Sequence, residues 1–484
     1  MMPSPTEVRT PQSRCRFALA WCDITPPADI YHRMWGAAKH ERATGVHRPL
    51  RATVAVFAPL HSSGERQILL ALDHCVMGAA EHARLTEQAA QIGGVAREEI
   101  LVVFSHTHGA GLMGLDRAAL PGGDLIAPYL QALGEKAGEL VRQGVASLRP
   151  AGIVYGRGRC SLAAHRDFWD EARQEFVCGF NPDGPADDTV IVARVTADDG
   201  TADDGAALAS IVNYACHPTT LAWDNTLISP DYIGAMREVV ERDTGVPCLF
   251  LQGASGELGP REGFVGDTAV ADRNGRELGY AALSALTALP RAGTKFCYAG
   301  PVVSGATLGA WKHEPLPPDE AAALAEWKIA RWHEPLKYRP GQPTAAQTKS
   351  ELEQFLAEET AARTAGNTAR AADCRAMAER KQRLLHRIAQ MPEGDAYPLQ
   401  VTLWRIGDAF WLGVQGESYN VLQTELRRRF PEKVIVVASI AADWGASYLP
   451  PRELYGTGIY QETIAVVAAG SLEQLIESIA QRIA

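Results

Sequence analysis

The stretch Ile100-Leu-Val-Val-Phe-Ser-His106-Thr-His108-Gly-Ala-Gly-Leu-Met-Gly114 carries the reading of this chain. An apolar run ending in His-x-His and then glycines predicts a buried strand that delivers two imidazoles at its C-terminal end. Side chains alternate along a strand, so His106 and His108 are expected on one side, with Ser105 and Thr107 on the other. The glycines that follow leave room for a ligand or another backbone to come close. Two neutral nitrogen donors fixed on a rigid element are what a zinc site requires. The competing reading is a hydrogen-bonded histidine pair without a ligand, and the rest of the chain has to decide.

With 484 residues, 46% hydrophobic and 21% charged, the chain has the composition of a soluble globular protein with ample core. A net charge of -10 argues against a nucleic-acid binder or a binder of anionic membranes. Nine cysteines are scattered singly, at 15, 22, 75, 160, 178, 216, 248, 297 and 374. With no Cys-x-x-Cys pair and an odd count, neither a disulfide framework nor a cysteine-zinc knuckle is indicated, and a reducing compartment fits. Residues 1–16 are polar and proline-bearing, without a signal-like apolar core, and are expected to be flexible. No transmembrane run occurs, so a cytoplasmic protein is expected.

Strand-like runs at 51–57, 67–72, 100–104, 189–195, 209–215, 248–251, 399–404, 410–413 and 434–438 are separated by helical patterns. Those patterns cover 79–92, 125–145, 233–241 and 272–289. The alternation predicts an α/β fold: a mixed sheet with packed helices, forming one large domain over 17–484. A helical hairpin is expected as an insertion at 315–395. From 319 to 390 the chain is rich in Ala, Glu, Arg, Lys and Gln, with a proline-bearing break at 335–343. Pro318-Asp319-Glu320 resembles a helix start. Such a segment can serve as a coiled-coil arm for homo-oligomers or as a solvated hairpin shaping the site entrance.

Four further segments can complete a site. In Ile211-Val-Asn-Tyr-Ala-Cys-His217-Pro a second apolar strand ends in a histidine, and proline then opens a loop. In Leu227-Ile-Ser-Pro-Asp231 a carboxylate stands at a helix start, where it caps the helix or supports a metal-bound histidine. The loop Gln252-Gly-Ala-Ser-Gly-Glu-Leu-Gly-Pro260 can offer backbone N–H groups to an oxyanion, but it lacks a P-loop ending. Finally, Glu417 lies between a strand and a helix, and Tyr448 and Tyr460 follow in a loop. Residue pattern alone assigns the two tyrosines no more than packing or partner contact.

In order and wording these segments resemble the neutral/alkaline (non-lysosomal) ceramidase family, from about 23 to 462 apart from the helical segment. The resemblance rests on Asp23-Ile-Thr-Pro26, Gly45-Val-His47, Leu72-Asp73, Ser105-His-Thr-His108, 213–220, 227–231, Gly416-Glu417 and Tyr448-Leu-Pro-Pro-Arg-Glu-Leu-Tyr455. It implies one zinc per chain held by His106, His217, Glu417 and Tyr448. It further implies catalytic roles for His108, Arg166 and Tyr460, with Arg157, Arg159 and His165 as near neighbours of the arginine. Gly109 replaces the family's serine, the 252–260 loop lacks its asparagines, and the chain ends at Ala484 without room for its C-terminal β-sandwich. A small or soluble N-acyl amide is therefore expected to be cleaved in preference to a long-chain ceramide or other sphingolipid.

The implied reaction is attack of zinc-bound hydroxide on a linear amide, with His108 moving the proton and Tyr460 and Arg166 stabilising the oxyanion. A metallo-β-lactamase-like site is disfavoured because Ala110 and Gly111 stand where its Asp-His pair belongs. An amidohydrolase barrel carries its His-x-His nearer the N-terminus. A zinc esterase or lactonase, and a catalytically inactive binding protein, remain open alternatives.

Overall fold

The computed structural model describes residues 6–61, 64–198 and 205–484. Its centre is a twelve-stranded mixed sheet. In chain order the strands are β1 (Gln12–Asp23), β2 (Arg51–Ala58), β3 (Gln67–Leu72), β4 (Ile100–Phe104), β5 (Arg149–Arg159) and β6 (Thr189–Ala197). They continue with β7 (Ala207–Tyr214), β8 (Cys248–Gln252), β9 (Trp327–Lys337), β10 (Ala396–Ile406), β11 (Ala409–Gln415) and β12 (Val434–Ala441). The spatial order is β8-β7-β6-β5-β1-β2-β3-β4-β12-β11-β10-β9. Three pairs, β7/β8, β3/β4 and β11/β12, are parallel.

The sheet curls until its two halves face each other. Phe57 of β2 lies 5.1 Å from Trp411 of β11, and Asn213 of β7 donates a 2.8 Å hydrogen bond to the Val437 carbonyl of β12. Strands in such a sheet are covered on both faces, so they read as continuous apolar runs. On β2, Val54 and Val56 face an outer core while Ala55 and Phe57 face the core between the halves.

Helices cover the outer faces. Helices α1 (Ala79–Gly93) and α2 (Ile126–Ala146) pack on β2 to β4, and α3 (Tyr232–Thr244) and α4 (Thr268–Thr287) on β5 to β8. Two more, α5 (Ala345–Thr364) and α6 (Thr368–Gln390), run side by side, joined through residues 365–367. Helices α7 (Val421–Arg429) and α8 (Ser471–Ile483) close the outer face of β10 to β12. The layers are helix, sheet, sheet, helix. Among the described residues no helix is long and apolar enough to cross a membrane.

In the 315–395 segment a short helix does begin at Pro318 and runs to Ala323, but the helical reading is corrected just after it. Trp327–Lys337 forms β9, the edge of the main sheet, paired antiparallel along its whole length with β10. The proline that suggested a break, Pro335, is tolerated because an edge strand has one side free of ladder bonds. The N-terminal residues, expected to be flexible, include Glu7–Val8, paired with Cys297 and Phe296, and the first residues of β1.

Candidate metal centre

Strand ends converge at one point. His106 lies just beyond β4, His217 beyond β7, Glu417 beyond β11, and Tyr448 in the segment following β12. The two histidine Nε2 atoms are 2.8 Å apart, and Glu417 Oε2 is 3.3 Å from that of His106 and 3.2 Å from that of His217. The Tyr448 hydroxyl is 3.5 Å from His217 Nε2. The ligating atoms of His106, His217 and Glu417 all lie within 4.8 Å of one another.

Backbone carbonyls fix both rings. His106 Nδ1 is 2.8 Å from the Cys75 carbonyl and His217 Nδ1 is 3.0 Å from that of Ser255. A carbonyl only accepts, so each Nδ1 carries the hydrogen and each neutral ring turns its Nε2 lone pair toward Glu417. Two lone pairs that close repel unless a proton or a cation lies between them. Glu417 Oε2 is buried without a hydrogen-bond partner, while Oε1 accepts from Trp444 Nε1 at 2.5 Å.

The three groups shift one another's ionisation. Burial opposes ionisation of Glu417, yet the charge of the neighbouring His106 holds its carboxyl well below the usual range. Burial also disfavours charge on His106, but Cys75 and Glu417 beside it raise its pKa well above the ordinary value. His217 is pushed down to about 3 by burial, with Arg166 and His106 adding to the effect. The donor set of two imidazoles, a carboxylate and a phenol suits zinc. The Cys75 thiol is 3.5 Å from His106 Nδ1, behind the ring, and does not face the same point.

The residues read as catalytic surround this cluster. His108 is not on the strand: β4 stops at Phe104, His106 has φ 67, and His108 opens a short 3-10 turn through Ala110. The alternation expected for a strand therefore does not set the two rings. The turn brings His108 to 5.0 Å from the His106 ring and 5.6 Å from the His217 ring, with Trp35 5.0 Å away. Neither His108 nitrogen has a partner, and burial, then the two neighbouring histidines, lowers its pKa well below normal.

Arg166 is buried and donates through Nη2 to the Gly256 carbonyl at 2.6 Å and to the Tyr448 hydroxyl at 3.0 Å. Its neighbours point elsewhere: Arg157 reaches the Lys433 carbonyl and Arg159 reaches Asp188. Tyr460 stands at the rim, 42% exposed, its ring 5.9 Å from that of Tyr448.

Of the supporting segments, one departs from expectation and the other keeps to the helix-capping reading. The 252–260 loop supplies carbonyls rather than N–H groups: Ser255 holds His217 and Gly256 receives Arg166. Its N–H groups are used within the fold, Gly253 on the Tyr214 carbonyl, Ala254 on Gln423 and Gly256 on the Ser418 carbonyl. Asp231 caps α3, accepting from Tyr232 N, and also accepts from Leu221 N, so it serves the backbone and not a histidine. Ser229 beside it braces the His108 turn, since its carbonyl accepts from Thr107 and its N–H reaches the Gly109 carbonyl. A Cβ at Gly109 would meet the Ser229 carbonyl oxygen at 2.6 Å, which explains glycine there in place of serine.

Two cavities meet at the cluster. An inner one of about 130 Å³ is lined by Val76, Met77, Leu112 and Met113 on its apolar side. An outer one of about 650 Å³ reaches past Trp35, Trp223 and Phe264. Both touch His108, Tyr448, Tyr460 and helix α6. Trp444, Trp35 and Cys75 carry no local pattern that marks them in the sequence.

A layered α/β protein with a buried His-His-Glu cluster at its strand ends is the class these observations define. No model of a known protein family, and no curated protein, matches the chain by sequence. Two of the solved structures that share its fold are ceramidases. A ceramidase complexed with C2 superposes with a TM-score of 0.65 at 17% identity, covering 98% of this chain and 74% of that one. The neutral ceramidase from Pseudomonas aeruginosa gives 0.62 at 16% identity, with the same 98% and 74% coverage. The resemblance read from the motifs thus extends to the three-dimensional fold.

Proposed function

We propose that this protein is a zinc-dependent hydrolase of the neutral ceramidase kind, cleaving a linear N-acyl amide. The observation that carries the reading is the convergence of His106, His217 and Glu417, with both outer imidazole nitrogens tied to carbonyls and Glu417 Oε2 left without a donor. Tyr448 is the fourth ligand in this reading. Zinc at this point would supply Lewis acidity and bring the pKa of a coordinated water to about 7.

The chain's own groups do the remaining work. His108 is neutral near pH 7 because burial depresses its basicity, so it can accept the proton of the attacking water. It then passes that proton to the leaving nitrogen, which would otherwise depart as an unstable amide anion. Arg166 positions the Tyr448 phenol and, with Tyr460 at the rim, supplies hydrogen-bond donors for the oxygen that gains charge. Trp35 and the apolar wall of the inner cavity exclude water around them. All nine cysteines are free thiols, which supports a reducing, cytoplasmic setting.

Zinc-loaded enzyme assayed on matched N-acyl amides, esters and ceramides tests this function. Amide turnover that disappears on chelation and returns with zinc is expected. Turnover of esters alone would make the protein an esterase, and bound zinc without turnover of any of them would make it a binding protein.

A further inference from the structure

Helix α6 passes over the cavities and turns Arg380, Arg383 and Arg387 toward them, at the i, i+3 and i+7 spacing of one helical face. The three are not equivalent. Arg383 donates to Glu379 Oε1 at 2.9 Å and to the Met34 carbonyl. Arg380 is exposed and reaches Thr463 Oγ1 at 2.9 Å.

Arg387 is 8% exposed and lines both cavities. Among the described residues it makes no ion pair, and its Nε has no hydrogen-bond partner. Its guanidinium carbon lies 5.4 Å from the centre of the Trp444 ring. Burial pulls its pKa down to about 10, which leaves it charged near neutrality.

The other charges around it are committed. Asp116, on the same inner cavity, is held 3.0 Å from Arg117, and Asp443 accepts from Gly445 N. Glu379 is shared by Arg117 and Arg383. Glu417, the nearby carboxylate, faces the histidines and Trp444. A buried guanidinium that faces a cavity and has no ion pair of its own among the described residues is an arrangement that takes a carboxylate from a ligand, since its planar fork matches that group.

We infer that Arg387 is a carboxylate-binding subsite of the substrate pocket, so that the amide cleaved is an acidic one, such as an N-acylated amino acid. The inference rests on the amide-hydrolase reading for the word substrate, but the binding it describes does not. The carboxylate sits on Arg387 beside His108 and Tyr460, and the acyl chain lies along Val76, Met77, Leu112 and Met113. A neutral amide of the same shape leaves the guanidinium unpaired and binds less well.

The test uses full-length zinc-loaded protein and two non-cleavable probes. One is octanoylglycine with CH2 in place of the amide NH, and the other is its primary amide. Calorimetry should give at least about tenfold tighter binding of the acid. In Arg387→Gln that preference should fall to parity with zinc content unchanged. Equal binding of acid and amide to the parent protein, no binding of either, or a preference that survives Arg387→Gln would overturn the inference. Loss of zinc in Arg387→Gln with the ligand preference intact would make Arg387 a support for Trp444 instead.

Hydrolysis of octanoylglycine and octanoylglycinamide is followed in parallel. An Arg387-dependent binding preference without hydrolysis leaves the subsite standing and removes the amidase reading. Equal binding with hydrolysis of both does the reverse.

Discussion

A histidine can serve as a metal ligand or as a proton carrier according to where its two nitrogens point, and the proposed site offers both arrangements. His106 and His217 each have Nδ1 held by a carbonyl, leaving one lone pair to offer. His108 has neither nitrogen engaged. His106→Ala should therefore abolish both zinc binding and hydrolysis. His108→Ala should keep zinc and lose about 10²–10⁴-fold in turnover. Metal analysis of the two purified variants separates the roles, and equal zinc loss in both would show them misassigned. Trp444 holds Glu417 Oε1, so Trp444→Phe should weaken zinc about 10–100-fold while leaving the fold intact. Titration against a competing chelator measures this, and an unchanged affinity would mean Glu417 needs no such partner. At this scale the sequence picked out residues that the fold brings to one point, but not their geometry. The strand alternation invoked for His106 and His108 fails at His106, whose φ of 67 is a conformation that L-residues rarely adopt. Tertiary hydrogen bonds from Ser229 and Cys75 hold that turn, and no local pattern encodes them.

Helix α6 is attached to the catalytic layers by charge as well as by packing. Glu379 is buried between Arg117, at 2.8 Å, and Arg383, at 2.9 Å. Burial opposes its ionisation, but the two guanidinium groups pull its pKa down to about 2. A carboxyl whose folded pKa lies below its unfolded value stabilises the fold above the unfolded pKa, here about 4.5. That contribution is lost as pH falls through this value toward about 2. Protection of α6 amides from hydrogen exchange should therefore drop between about pH 5 and 3, ahead of the core strands. Loss of protection in α6 and the central strands together would argue against a separately tethered helix. Glu379→Leu, which leaves the buried Arg117 with Asp116 alone and frees the partly exposed Arg383, should cost about 1–3 kcal/mol at pH 7 in chemical denaturation. The 319–390 composition made helices legible here, since Ala, Glu, Arg and Gln favour them. It did not make β9 legible, because an edge strand with Pro335 and interspersed charged residues has little apolar signal of its own. Nor could composition place Arg387 over the site, because that depends on how α6 docks.

On the scale of the whole molecule, the site exists only because the sheet curls. β4, β7 and β11 are far apart in the chain, and each carries one proposed ligand just past its end. The α/β class was legible because strands buried on both faces produce long apolar runs, and helices between them keep the helical period. The curling was not, since the pairing of β4 with β12 rests on the single register contact of Val103 with Ala441, which no local sequence announces. A metal that needs all these strand ends binds the native state and not the unfolded chain, so it must stabilise the whole fold. At free zinc a thousandfold above Kd, the linkage term is about 4 kcal/mol. With an unfolding entropy near 2.1 cal/mol/K per residue, that is a rise in Tm of about 4 °C for a chain this long. Removing the metal with a chelator and restoring it should move the melting transition by this amount in both directions. His108→Ala should show the same shift, because it leaves the ligands alone, and His106→Ala should show none. A shift that persists in His106→Ala would place the stabilising metal somewhere other than between these strand ends.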